Sequence, residues 1–136
     1  MKLICLIAFF ALPFKAALAD TIDLTPARWI PAGTYGGGGA NFVVENHAAN
    51  LDLPCAVGSI PHRPSLDNTG RFVIDGTYTS RMVSNPPPHA LPATFFGRLL
   101  GNQLWLQVVV HERGPDRSFQ YGPLTLGQNA RFFRCL

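Results

Sequence analysis

Lysine is nearly absent from this chain of 136 residues, and its two copies, Lys2 and Lys15, both lie at the amino terminus. The other basic residues are nine arginines, set against eight acids, so a chain that loses its first 19 residues carries a net charge of only +1. A near-neutral surface lacks the basic patch by which proteins bind nucleic acid or anionic lipid. We therefore expect neither of those partners.

Long apolar runs are also scarce. The one candidate covers residues 3–14 and is too short to cross a bilayer, because a spanning helix needs about 20 apolar residues. With Lys2 before it and the small-x-small pattern Ala17-Leu18-Ala19 after it, the run predicts a secretory signal peptide cleaved after Ala19. A buried amino-terminal helix is the alternative. We expect residues 20–136 to form one domain, periplasmic or secreted, without stable membrane insertion.

Cysteine is rare too, with three copies in the chain. One lies in the predicted signal peptide, which leaves Cys55 and Cys135. A pair of cysteines in an exported chain predicts a disulfide bond, because the compartments outside the cytoplasm are oxidising. The bond would connect the carboxyl terminus to an early strand. Two reactive thiols are the alternative, but neither cysteine has a neighbouring Cys, Lys or His in sequence to activate it.

Patterns of catalytic and metal-binding residues are missing. No G-x-S-x-G nucleophile motif is present, and no spacing supports a catalytic carboxylate pair such as Glu45 and Asp75. The histidines lack the i, i+2 or i, i+4 spacing of zinc ligands; they are His47, His62, His89 and His111. We therefore expect no catalytic residues, no metal and no cofactor. The alternative is a small hydrolase or metal-dependent enzyme that uses dispersed histidines and carboxylates.

What the sequence does contain is a succession of short β-branched and aromatic runs between Gly, Pro and Asn clusters, the pattern of consecutive strands. We predict eight strands, near residues 29–35, 40–46, 51–57, 71–79, 93–100, 103–111, 118–126 and 130–135. The mid-strand glycines Gly76 and Gly97 favour a strongly coiled sheet. The prediction is an all-β, single-domain antiparallel meander that forms a small barrel or half-barrel. A β-sandwich is the alternative.

One hairpin has a predicted register. Gly101-Asn102 has the composition of a two-residue turn with glycine first, which places Arg98 opposite Trp105. One face then collects apolar side chains, namely Ala93, Phe95, Leu99, Leu104, Leu106, Val108 and Val110. The opposite face carries Phe96, Arg98 and Trp105, which form the candidate binding surface because aromatic residues and arginine are enriched at binding hot spots. The alternative is that this face packs beneath another part of the chain.

A second candidate binding element is the stiff segment Pro86-Pro87-Pro88, within the long connection 81–92. A plain solvated loop is the alternative. Together these features predict a non-catalytic binding module. Its partner would be a small apolar ligand in the barrel mouth, or an envelope or extracellular protein on the face of Phe96, Arg98 and Trp105.

Several strings in residues 50–136 also form a pattern. They are Cys55-Ala56-Val57-Gly58-Ser59-Ile60, Gly70-Arg71-Phe72, Gly76-Thr77-Tyr78, Phe96-Gly97-Arg98-Leu99, Gly101-Asn102-Gln103-Leu104-Trp105-Leu106, Leu124-Thr125-Leu126-Gly127 and Cys135. This pattern resembles a recurrent group of small bacterial exported proteins that are themselves uncharacterised. The resemblance implies an exported, barrel-like β domain and no particular activity. Lipocalins and avidins share the meandering layout, but the chain lacks their amino-terminal signatures.

Overall fold

Ten β-strands make up the regular structure of residues 28–133 and 135, the part of the chain that the computed structural model describes. They are β1 (Arg28–Trp29), β2 (Gly33–Gly37), β3 (Ala40–Val44), β4 (Ala49–Asp52), β5 (Ala56–Ile60), β6 (Ser65–Leu66), β7 (Arg71–Ser80), β8 (Leu91–Leu100), β9 (Gln103–Val110) and β10 (Arg117–Leu126). No helix in this part is long and apolar enough to span a membrane. The predicted signal peptide, residues 1–19, lies outside the described residues.

Eight of these strands form a closed barrel in which every pairing is antiparallel. The order is β2-β3-β4-β5-β7-β8-β9-β10, and β10 closes the barrel on β2, where Thr125 lies opposite Gly36. The short strands β1 and β6 form a separate two-stranded sheet. The prediction of an all-β antiparallel meander closing into a small barrel is confirmed, and the β-sandwich alternative is wrong.

The barrel interior is filled with apolar side chains. Successive residues of a strand point to opposite faces, and along β9 the inward residues Leu104, Leu106 and Val108 are all buried. Leu66 of β6 and Ile30, the residue that follows β1, join the same core, at the barrel end where β2 and β7 begin. The register of the predicted hairpin is confirmed, with Arg98 opposite Trp105.

Glycines inside the barrel make room for large rings. Gly97 on β8 lies directly opposite Phe72 on β7, and a Cβ atom at Gly97 would collide with the Phe72 ring. Gly58 and Gly76 lie on either side of the Phe95 ring in the same way, with a Cβ at Gly58 reaching within 2.9 Å of it. Because glycine has no side chain, these positions let the sheet coil tightly enough to close.

Three predicted strands differ from the structure. The prediction at 29–35 is interrupted at Pro31, and the one at 51–57 contains a turn that separates β4 from β5. Proline cannot donate to a strand ladder, and Pro54 lies in that turn. The prediction at 130–135 is wrong for residues 130–133 and 135, which form no strand. The structure has eight barrel strands, the same number as predicted, because the predicted strand 51–57 corresponds to two strands, β4 and β5, while the described residues of 130–135 add none.

The carboxyl-terminal segment crosses the outside of the barrel. The side chain of Asn41, on the outward face of β3, is 6% exposed and exchanges two hydrogen bonds with the backbone of Ala130. Gly36 lies opposite Asn41 on β2, and a Cβ atom there would collide with the carbonyl oxygen of Gln128. The first glycine of the run at residues 36–39 therefore gives the segment a place to pass.

The same segment ends beside the turn between β4 and β5. The backbone N–H of Cys135 donates to the carbonyl of Pro54 at 2.8 Å. Cys55 and Cys135 are paired as a disulfide, with their Cα atoms 4.8 Å apart. This Cα–Cα distance lies within the usual range for a disulfide, so it fits the predicted pairing.

Candidate functional site: a groove on the outer face

The long strands β7 to β10 carry two rows of outward side chains, aligned by the register of the sheet. The first row is Arg71, Arg98 and Trp105. The second row is Val73, Phe96, Gln107 and Gln120. Because alternate residues of a strand project from the same face, both rows point away from the core. Phe96, Arg98 and Trp105 are therefore brought together as predicted, and Arg71 joins them.

These rows line a groove of about 540 Å³, a volume within the usual range of ligand pockets, roughly 300–1,000 Å³. The pairing of β10 with β9 shifts between Tyr121 and Leu124, opposite Trp105, and such a bulge bends a strand. Within the bulge Gly122 has φ +139°, and a Cβ atom there would lie 3.0 Å from the Cα of Trp105. Glycine is thus required where the floor of the groove approaches Trp105.

The aromatic side chains of the groove are accessible to solvent. Trp105 is 38% exposed and Phe96 is 39% exposed. Every residue that lines the groove belongs to β7, β8, β9 or β10. The proline-rich connection therefore does not cover this face, and neither does another strand of the described part.

Two arginines give the groove its charge, and no acid lines it. Arg98 has no ion pair or side-chain hydrogen bond within residues 28–133. Arg71 interacts electrostatically with Asp67, whose Oδ1 already accepts from the Thr69 hydroxyl at 2.7 Å, the Thr69 N–H and the Arg71 N–H. These bonds, the one from the Thr69 hydroxyl foremost, lower the pKa of Asp67 below its usual value. The groove itself is left basic.

The second predicted binding element lies elsewhere. Pro86 and Pro87 are exposed and Pro88 is half-buried, in the connection that precedes β8. Arg98 and Trp105 lie toward the other end of the barrel, next to the turn at residues 101–102. The structure thus separates the proline-rich segment from the candidate surface.

A pair of aromatic rings lies at the barrel mouth beside that segment. Tyr78 and Phe119 stack with their ring centroids 5.7 Å apart. The guanidinium of Arg117 lies 5.5 Å from the Phe119 ring centroid and forms an ion pair with Glu112. Deeper in the barrel, burial raises the pKa of Tyr121 to about 12.

A hydrogen-bonded chain, which sequence reasoning missed, lies one row beyond Phe96 on the same outer face. The Thr94 hydroxyl lies 2.8 Å from Nε2 of His111, and Nδ1 of His111 lies 3.2 Å from a carboxylate oxygen of Asp116. This order of hydroxyl, imidazole and carboxylate is the one that activates nucleophiles in hydrolases. The Thr94 hydroxyl, however, donates its single proton to Asp75 at 3.0 Å. The Thr94 hydroxyl is therefore shared between Asp75 and His111 rather than directed at the imidazole alone.

No group of three or more His, Cys, Asp or Glu side chains among the described residues could hold a metal ion. No protein-family model, curated protein or solved structure matches the chain. Its class is therefore defined by its own geometry, an eight-stranded up-and-down β-barrel with a basic, aromatic groove on the outside. The resemblance to small exported bacterial proteins stays a prediction.

Proposed function

We propose that this protein is an exported, non-catalytic binding module that holds its partner in the outer groove of β7 to β10. The observation that carries the proposal is the exposure of Trp105 and Phe96 in a concave surface beside two arginines. Tryptophan and arginine are among the residues most enriched at binding hot spots. Large apolar side chains grouped on a surface mark interaction sites more often than they stabilise a monomer.

The scaffold suits this role because the groove is built on paired strands. The four groove strands are hydrogen-bonded to one another in order, β7 to β8, β8 to β9 and β9 to β10, so the groove residues are held in place before the partner arrives. The groove lies on the face of these paired strands, so a partner in the groove contacts side chains.

Three other observations weigh in favour of this proposal. The Tyr78–Phe119 stack in the mouth favours the outer face over a ligand inside the barrel. The Thr94 hydroxyl also donates to Asp75, so Asp75 competes with His111 for its proton, which favours binding over hydrolysis. Export is supported by the pairing of Cys55 with Cys135, since disulfides persist in oxidising compartments.

A capture experiment tests the groove. The mature protein is immobilised and exposed to envelope extract or culture fluid of the source cells, beside a Trp105→Ala/Phe96→Ala variant. Trp29→Ala is the matched control, because Trp29 is 57% exposed and lies outside the groove. We expect a component that the wild type and the control retain and the double variant loses, with an unchanged circular dichroism spectrum. The purified component must then bind in direct titration. Equal retention by all three proteins would show that the groove is not the binding surface.

A further inference from the structure

Arg71 and Arg98 form a pair of like charges on the outer face of the barrel. Their Cα atoms are direct partners in the register of β7 and β8, so the two guanidinium groups project side by side from the same face. Like charges directly opposite each other on a sheet are destabilising. No acid lines the groove, and Asp67, the carboxylate that interacts with Arg71, lies outside it and already accepts hydrogen bonds from Thr69 and from the Arg71 N–H. Such an arrangement becomes favourable when an anion lies between the two side chains.

We infer that the groove recognises an acidic peptide segment of a protein partner. A carboxylate of the segment lies between Arg71 and Arg98, and a neighbouring apolar side chain packs on Trp105 and Phe96. The inference rests on the proposed function, that this groove binds a partner, and adds the chemistry of that partner.

The side chains of the groove match both parts of such a segment. Arginine presents a planar fork of N–H donors that fits a carboxylate with two parallel hydrogen bonds. Trp105, Phe96 and Val73 supply the apolar surface beside it. Gln120 has no side-chain hydrogen bond within the described residues, so its amide is free to bind the backbone of an extended segment.

The distribution of charge favours a localised anion over a polyanion. The row beyond Phe96 carries Asp75, and Asp116 lies next to it through His111. A nucleic acid laid along this face would meet those carboxylates after leaving the arginines. A peptide with acidic residues at one end and apolar residues beside them would avoid them. This complementarity selects a peptide as the occupant.

Trp105 provides a direct readout of binding. The chain contains two tryptophans, so in a Trp29→Phe background Trp105 fluorescence reports the groove alone. The probe is a short synthetic peptide of glutamate and phenylalanine, compared with the same peptide carrying glutamine in place of glutamate. We expect the glutamate peptide to bind about tenfold more tightly at low salt, and this advantage to shrink toward 1 M salt, where charges are screened within about 3 Å.

Variants assign the effect to the pair. Arg98→Gln and Arg71→Gln are each expected to reduce the affinity for the glutamate peptide about tenfold, to that of the glutamine peptide. Arg113→Gln is the matched control, since it removes the same charge from an exposed loop outside the groove, and its affinity should equal that of the wild type. Thermal unfolding of each variant verifies that the barrel is intact.

Three results would overturn the inference. They are equal affinity for the two peptides, an equal loss in Arg113→Gln, and tighter binding of a single-stranded oligonucleotide than of the glutamate peptide. The proposed function fails separately, because its own test is whether capture of a partner depends on Trp105 and Phe96. If capture depends on those aromatic residues while the two peptides bind equally, the groove is a binding surface and the arginine pair is not its anion site.

Discussion

The side-chain amide of Asn41 and the backbone of Ala130 hold each other through two hydrogen bonds. Nδ2 of Asn41 donates to the Ala130 carbonyl at 2.9 Å, and the Ala130 N–H donates to Oδ1 of Asn41 at 2.7 Å. Asn41 is buried on the outside of the barrel, beneath the carboxyl-terminal segment. The nitrogen and the oxygen of the Asn41 amide therefore keep these hydrogen-bond partners only while the carboxyl-terminal segment stays in place.

Replacing Asn41 with alanine is expected to lower the free energy of unfolding by about 1–3 kcal/mol, because the N–H and carbonyl of the half-buried Ala130 would lose their partners. Urea denaturation measures the change. Asn50→Ala is the matched control on β4, where the side chain has no hydrogen bond within the described residues, and it should change stability by less than about 0.5 kcal/mol. An Asn41→Ala protein as stable as the wild type would mean that this contact does not hold the segment.

The disulfide gives the second prediction. It closes a loop of 80 residues, which in the chain-entropy model is worth about 4–5 kcal/mol. A Cys55→Ser/Cys135→Ser variant should lose about this much stability. It should keep the barrel, because residues 128–133 add no strand to the sheet. Denaturant unfolding and far-ultraviolet circular dichroism test both parts. Mass spectrometry of the mature protein should find no free thiol, and two free thiols would contradict the pairing.

The parts of the fold that sequence predicted correctly are those with local causes. The hairpin of β8 and β9 follows from a two-residue turn, in which Gly101 has φ +61°, and from alternation of apolar and polar residues on both sides. The carboxyl-terminal segment has no such cause. Its position depends on Asn41, a residue 89 positions away, through side-chain contacts that leave no periodic pattern. Only the cysteine pair indicated that the terminus returns to the barrel.

The site was predicted only in part, because only some of its residues are placed by a local cause. Phe96, Arg98 and Trp105 share the hairpin, so one turn fixed their common face. Arg71 was missed because β7 and β8 are joined by a long connection that does not set their register. The signal that could have found it is the fit of the Phe72 ring over Gly97, since pairing those two residues places Arg71 beside Arg98.

The arginine pair gives a third prediction, which needs no ligand. Arg98→Gln should raise the free energy of unfolding at low salt by about 0.2–1 kcal/mol, because it removes a like charge directly opposite Arg71. The gain should disappear near 1 M salt. Arg113→Gln, outside the groove, should leave stability unchanged. Parallel urea titrations at the two salt concentrations make the comparison. A loss of stability in Arg98→Gln at low salt would mean that the two guanidinium groups do not repel each other.

Alkaline pH provides the fourth prediction, through two tyrosines. Burial raises the pKa of Tyr35 to about 12, although the charge of Arg63 opposes the shift, and burial raises the pKa of Tyr121 to about 12 as well. A tyrosine in the unfolded chain has a pKa of about 10. Between these values the unfolded chain releases phenol protons that the folded barrel keeps, so deprotonation favours unfolding. Stability should be complete below about pH 10 and fall as the pH rises toward 12.

Phenylalanine variants separate this effect from general alkaline damage. Tyr35 is fully buried and its hydroxyl donates to the Pro31 carbonyl at 2.8 Å, so Tyr35→Phe should be less stable than the wild type at pH 8 by about 1 kcal/mol. It should also lose less stability than the wild type between pH 10 and 12, because one raised phenol pKa is gone. Tyr121→Phe should show the same flatter dependence. Tyrosinate absorbance should rise together with the loss of the circular dichroism signal, since the buried phenols ionise when the barrel opens. Tyr78 is a third tyrosine, so the titration is done in a Tyr78→Phe background, where a rise near pH 10 with an intact barrel would mean that at least one of the two rings is not shielded as described.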